Sequence, residues 1–197
     1  MESLSFMELN TPRLLLRRIS MEDLFLYFSR IAGNPVVTRY MNWIPHQTIE
    51  ESELSIQKAI SRYETSQSIR WVITVKPSNS LVGIIDLIPM DRDSGICTFA
   101  YMLAQEVWGM GYATEALGAV MDFAFSICKA QELRGDHYRG NEASGRVMEK
   151  TGMEYIGTIP VKYAKNGISY DAPQYRITCS QYKDKSLSRK LDSISKI

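Results

Sequence analysis

Apolar and polar positions change their period several times along this chain. The run Arg13 to Arg18, RLLLRR, reads as a short strand. Ser20 then stands ahead of a helix that runs to about Ile31. Asp23 falls at its third position, where a carboxylate meets free N–H groups. Gly33, Asn34 and Pro35 close that helix. Thr48 and Glu51 have the spacing of a capping box, and Ile56, Ile60 and Tyr63 follow at helical intervals. The irregular segment between, Asn34 to Gln47, holds Tyr40, Trp43 and His46.

Trp71 to Lys76 and Leu81 to Ile88 are rich in β-branched residues and are joined as a hairpin by Pro77-Ser78-Asn79-Ser80. Ile96 to Leu103 is a third strand of this group. A long helix follows from about Tyr112 to Cys128, with Ala113, Ala116, Leu117, Val120, Ala124 and Ile127 along one stripe. Leu133 to Tyr138 is another strand. Asn141 then caps a helix that Gly152 stops. Tyr155 to Pro160 and Ile168 to Cys179 form a last hairpin around Asn166-Gly167. A group of strands, a strand–helix–strand–helix unit and a closing hairpin predict an α/β (α+β) fold. It is a mixed sheet with helices on both faces and one parallel pair.

Composition narrows this picture. The 197 residues suit one domain, and a chain of this size buries roughly 70% of its unfolded surface. A core therefore forms without staples. The domain spans about 8–180. The remainder, 181–197, has five basic residues, two acidic ones and four serines, and reads as a mobile or weakly helical basic tail. With 23 Lys+Arg against 22 Asp+Glu, the chain lacks the basic surplus of a duplex-DNA binder, so no nucleic-acid partner is expected. No apolar run approaches the roughly 18–20 residues of a membrane span, and MESLSFMELN lacks the layout of a secretory signal. Cys97, Cys128 and Cys179 are odd in number and widely spaced, without CxxC. They suggest reduced thiols in a cytoplasmic protein and no metal site.

The chemistry concentrates in Val107-Trp108-Gly109-Met110-Gly111-Tyr112-Ala113-Thr114-Glu115-Ala116, between a strand and a helix start. Two glycines permit a sharp turn and close approach of a ligand to backbone. The free N–H groups of the helix start, together with its dipole, make a site for phosphate. An ordinary glycine turn is one reading. A dinucleotide turn needs glycine or alanine where Thr114 stands, although Glu132 lies at a suitable distance. A P-loop lacks its Gly-Lys-Ser/Thr. The fourth reading is a coenzyme A pyrophosphate turn.

That segment resembles motif A of the GNAT N-acetyltransferases, with Gly111 and Ala113 at its small positions. Trp108 replaces the usual Gln or Arg, as in the W-G-x-G-Y-A-T-E-A form of the Rim-type, ribosomal-protein N-acetyltransferase branch. Three further segments resemble that branch in the same order. They are Thr11-Pro12-Arg13-Leu14-Leu15-Leu16-Arg17, Leu81-Val82-Gly83, and Asn141 to Met153, which follows N-x-A-S-x-x-V-x-E-K-x-G-F. The resemblance implies a GNAT fold, a mostly antiparallel sheet of about seven strands splayed at the cofactor site. It implies transfer of acetyl from acetyl-CoA directly to a primary amine. The amine belongs to a protein N-terminus or a small molecule, and the enzyme is a monomer or homodimer.

The resemblance also implies roles. The backbone of Trp108, Gly109, Met110, Gly111, Tyr112, Ala113 and Thr114 would hold the pyrophosphate. Tyr101, Met102 and Leu103 would pair with the pantetheine arm, and Asn141 would contact it. Acetylation of an amine needs a base for the ammonium and an acid for the departing thiolate. Met148 occupies the position of the usual tyrosine acid, and the serine that the Rim-type branch carries three residues after the asparagine falls at Ser144, where a hydroxyl can hydrogen-bond the sulfur. Thr98 occupies the position of the usual glutamate base. Asp86 and His137 are the remaining base candidates, histidine being the side-chain type whose charge changes near neutral pH. His46 is a third, and water can also remove the proton. Glu115 reads as a first-turn carboxylate rather than a catalyst, and Cys128 lies far from any helix start that would activate it. A non-catalytic acyl-CoA-binding protein and a nucleotide-cofactor binder are the alternatives.

Overall fold

The structure, a computed structural model, describes residues 6–65, 68–91, 93–162, 167 and 169–184. Eight strands form one sheet in the order β1-β2-β3-β4-β5-β6-β8-β7. They are β1 (Leu9–Asn10), β2 (Leu14–Arg18), β3 (Ile69–Val75), β4 (Ser80–Asp91), β5 (Ile96–Leu103), β6 (Glu132–Asp136), β7 (Glu154–Lys162) and β8 (Ser169–Thr178). The strand beyond the expected seven is the two-residue β1, too short to show in a period-two pattern. All neighbours are antiparallel except β5 and β6.

Among the described residues, four longer helical segments cover the sheet. The first, α1, begins as a 3-10 turn (Met21–Asp23), passes a short α segment (Leu24–Leu26) and ends π-wound (Tyr27–Ala32). The others are α2 (Ile49–Thr65), α3 (Tyr112–Ser126) and α4 (Glu142–Thr151). Asp23 accepts the Ser20 N–H at 2.9 Å, so the expected start of α1 is in place. Glu51 differs from the capping-box expectation: it reaches back one residue further, to the Gln47 N–H at 2.7 Å.

Strand alternation divides the core in two. Trp71, Ile73, Ile85 and Leu87 are buried together with Leu117, Val120, Met121 and Ala124 of α3. Val72 and Ile84 point the other way and pack with Ile31, Ile56 and Ala59 of α1 and α2. Each fully buried side chain of this size contributes roughly 1.5–3 kcal/mol of transfer free energy. Both faces being covered explains why β3 and β4 read as almost continuous apolar runs.

The first residues of the expected tail are not loose. The chain beyond β8 makes a helical turn in which Tyr182 donates to Asp122 of α3 at 2.8 Å and packs on Phe125. The rest of the tail and the β7–β8 turn at Asn166 lie outside the described residues.

Candidate active site

The site exists because two parallel strands part. β5 and β6 pair only through Ile96, Cys97 and Thr98 against Glu132, Leu133 and Arg134. Beyond that point β5 continues to Leu103 and β6 to Asp136 without pairing each other. A groove of about 740 Å³ opens between them, walled by the segment after α1 and by the starts of α3 and α4. A parallel sheet normally closes this gap with ladder hydrogen bonds, so the exposed backbone here is available to a ligand.

The glycine turn forms one end. Gly109 has φ +80° and Gly111, immediately before α3, has φ +79°, left-handed values that favour glycine. A Cβ on Gly109 would meet nothing within 4 Å, so the turn presents open backbone rather than packing against the fold. No side chain caps the start of α3, and the Glu115 N–H bonds Gly111 at 3.1 Å as the ladder begins. The preceding N–H groups are the ordinary orphans of a helix start and face an anion well. Trp108 is half exposed, with its indole N–H held by the Leu103 carbonyl at 2.8 Å. Arg146 and Lys150 of α4 add positive charge to the wall. A long, diphosphate-bearing thioester fits this cradle: anion donors at one end, a splayed strand beyond them.

All the expected cofactor residues line the groove except Met110, whose side chain turns to solvent and whose carbonyl accepts from Arg13 at 2.9 Å. Asn141 begins α4 with its N–H on the Tyr138 carbonyl at 2.8 Å. Ser144, in the first turn of α4, lies 2.8 Å from the hydroxyl of Tyr101 on β5. The sequence suggested Tyr101 for its backbone alone; the fold brings its side chain to Ser144. Burial pushes the Tyr101 phenol up to about 12, against the Ser144 hydrogen bond, so it is a neutral hydroxyl at physiological pH.

The three base candidates fare differently. Asp86 does not line the groove; Arg70 of β3 grips it with two hydrogen bonds of 2.8 Å. His137 does line the groove; it is 7% exposed, and its Nδ1–H donates to the Tyr138 carbonyl at 2.9 Å. A Cβ on Gly145 of α4 would stand 2.9 Å from Nε2, so that nitrogen faces α4. His46 shares a hydrogen with Ser52 at 2.7 Å and lines a separate cavity under α2, where burial lowers its pKa. Of the aromatic segment, Tyr40 reaches the groove and donates to the Gly140 carbonyl at 2.8 Å, whereas Trp43 packs on the α1–α2 core.

One carboxylate escaped the sequence reading. Asp136, the last residue of β6 and exposed at its surface, pairs with Gln174 of β8 through strand register and lines the groove, and its carboxylate has no side-chain hydrogen bond or salt bridge among the described residues. Desolvation raises its pKa, with neighbouring His137 pulling the other way. The signal available in the sequence was a carboxylate at the C-terminal end of the parallel strand. Cys97 is buried, which pushes its thiol up to about 11 and leaves it inert. No group of metal-ligating side chains and no helix long and apolar enough to cross a membrane occurs among the described residues.

Residues 13–154 match the model of the acetyltransferase (GNAT) domain. The chain belongs to the GNAT acetyltransferase family. It is 29% identical over 169 residues to a Bacillus subtilis protein named uncharacterized N-acetyltransferase YoaA, covering 86% of this chain and 95% of that one. The fold is shared with spermidine N-acetyltransferase from Vibrio cholerae in complex with CoA and spermine. That match has TM-score 0.75 and 22% identity over 87% of this chain and 99% of the other. It is shared also with RimL, the ribosomal L7/L12 alpha-N-protein acetyltransferase in complex with coenzyme A. Here the TM-score is 0.77, with 17% identity over 87% and 98% of the two chains.

Proposed function

We propose that the protein transfers the acetyl group of acetyl-CoA directly to a primary amine. The observation that carries this reading is the continuous groove joining the Gly109–Gly111 turn, the splayed end of β5 and the Tyr101–Ser144 hydroxyl pair. The turn and the start of α3 would hold the diphosphate, and Asn141 with the backbone of Tyr101, Met102 and Leu103 would hold the pantetheine arm. Acetyl-CoA supplies an activated acyl carbon with a thiolate leaving group.

The chain supplies proton management and alignment. Asp136 takes the proton of the incoming ammonium at its carboxylate, leaving a lone pair to attack. The Ser144 hydroxyl donates to the departing sulfur and regains a proton through Tyr101, 2.8 Å behind it; that proton is the second one the attacking nitrogen sheds, carried by water, while the proton on Asp136 leaves to solvent. Asp86, neutralised by Arg70, and His137, turned to α4, hold neighbouring structure in place instead of taking the proton. Holding amine and thioester together supplies much of the rate, as in other two-substrate enzymes. The acceptor is the α-amino group of a protein or a small-molecule amine; the structural neighbours include one protein of each kind.

The test is thiol release from acetyl-CoA in the presence of a panel of alkylamines, polyamines and N-terminal peptides. Acceptor-dependent release with an acetylated product supports the reading. Tight CoA binding with no transfer to any member would favour a non-catalytic acyl-CoA binder. Thermal protection by NAD without protection by acetyl-CoA would favour a nucleotide-cofactor protein.

A further inference from the structure

The opening segment Thr11–Arg13 has no part in the chemistry above, yet the fold ties it to the glycine turn. Glu115, one turn into α3, accepts from the Thr11 hydroxyl at 2.6 Å, the Arg13 backbone N–H at 2.9 Å and the Arg13 Nε–H at 2.6 Å. Arg13 Nη1 donates to the Met110 carbonyl at 2.9 Å, and its guanidinium lies 4.7 Å over the Tyr112 ring. Arg13 Nη2 stands 3.4 Å from where a Cβ on Gly111 would be. One arginine thus touches Met110, Tyr112 and Glu115 and stands beside Gly111.

Two consequences follow from elementary geometry and charge. A trans peptide points its carbonyl and its N–H in opposite directions. Holding the Met110 carbonyl on Arg13 therefore sends the Gly111 N–H away from Arg13, and Gly111 lines the groove. Glu115 is also an anion in the first turn of the helix meant to receive another anion. Burial works against its ionisation, but hydrogen bonds from Thr11 and Arg13 outweigh that and keep its pKa below the usual range. Unpaired, that charge would repel a diphosphate.

We propose that Arg13 is a positioning residue for the diphosphate site: it orients the Met110–Gly111 peptide and neutralises Glu115, acting on the cofactor only through the turn. This rests on the reading that the turn holds the diphosphate of coenzyme A. Calorimetric binding of CoA to the full chain tests it, alongside melting temperature. Arg13→Ala should weaken CoA by about tenfold or more, the scale of one charge-assisted hydrogen bond. Arg13→Ala/Glu115→Gln should regain part of that loss, because the uncovered carboxylate is gone. Arg13→Lys should lose at least about threefold, since a single ammonium replaces a fork that serves Glu115 and Met110 together. It carries the test if Arg13→Ala does not fold. A lower melting temperature with unchanged CoA affinity in the folded variants would overturn the proposal, reducing Arg13 to a structural clasp. No recovery in the double variant would overturn the charge argument. Failure of the unmodified chain to bind CoA is a different outcome and sinks the underlying site assignment.

Discussion

Two glycines, each inside a helix, should respond in opposite directions to the same substitution. Gly118 lies in the middle of α3, and a Cβ there meets nothing within 4 Å. Gly118→Ala gains the helix propensity that glycine lacks, roughly 0.8–1 kcal/mol. For a domain of 150–250 residues that raises the melting temperature by about 2–4 °C. Gly145 in α4 is offered the same gain. Its Cβ would stand 2.9 Å from His137 Nε2 and 3.2 Å from the Tyr175 hydroxyl. His137 is nearly fully buried and held through Nδ1, so it cannot swing aside cheaply. Forcing a methyl into such packing costs typically about 1–3 kcal/mol. The clash outweighs the propensity, leaving a net loss of up to about 2 kcal/mol, or about 4–8 °C at that upper end. Because Ser144 is the adjacent residue, the displaced helix should also lengthen the 2.8 Å Ser144–Tyr101 contact and lower turnover. Differential scanning calorimetry with steady-state kinetics reads both effects. A Gly145→Ala variant that is stabilised like Gly118→Ala, with unchanged kcat, would refute the close approach of α4 to His137.

Ser144→Ala should lower kcat by about 10²-fold, the lower end of general acid catalysis, with CoA affinity unchanged; an unaltered kcat removes Ser144 from the mechanism. Gly111→Val should weaken CoA at least about tenfold, because a β-branched residue at φ +79° is strained and its side chain would crowd Arg13, distorting the turn; equal CoA affinity by calorimetry would argue against the cradle. As a base, Asp136 acts when ionised, so kcat/KM should rise with pH along a limb above the usual carboxylate value of about 3.9, and Asp136→Asn should abolish that limb. The linkage sign separates this from a structural role. A raised native pKa means the ionised carboxylate costs stability above its unfolded pKa, so Asp136→Asn should melt no lower at pH 7. A markedly lower melting temperature would contradict it.

The sequence by itself determined the element order, because each strand and helix carries its own period and its own stop signal. β5 was read to the residue, and Gly152 ends α4 with φ +96° where a left-handed cap was expected. It also located the glycine turn ahead of α3, since Gly109 and Gly111 followed by a helix are contiguous and need no tertiary partner to be recognised. What it left open were the groups that meet across the fold. Tyr101 and Ser144 are 43 residues apart and become neighbours only because the fold brings the Tyr101 hydroxyl of β5 to the first turn of α4. Asp86 looked available along the chain, but its antiparallel neighbour Arg70 claims it through strand register. Asp136 looked like any strand-end carboxylate until β6 parted from β5 and left it lining a groove with no side-chain hydrogen bond or salt bridge among the described residues. Local periodicity reports which face a residue takes on its own element. Who occupies the space opposite that face is decided by register, splay and helix packing, and in this protein those decide the chemistry.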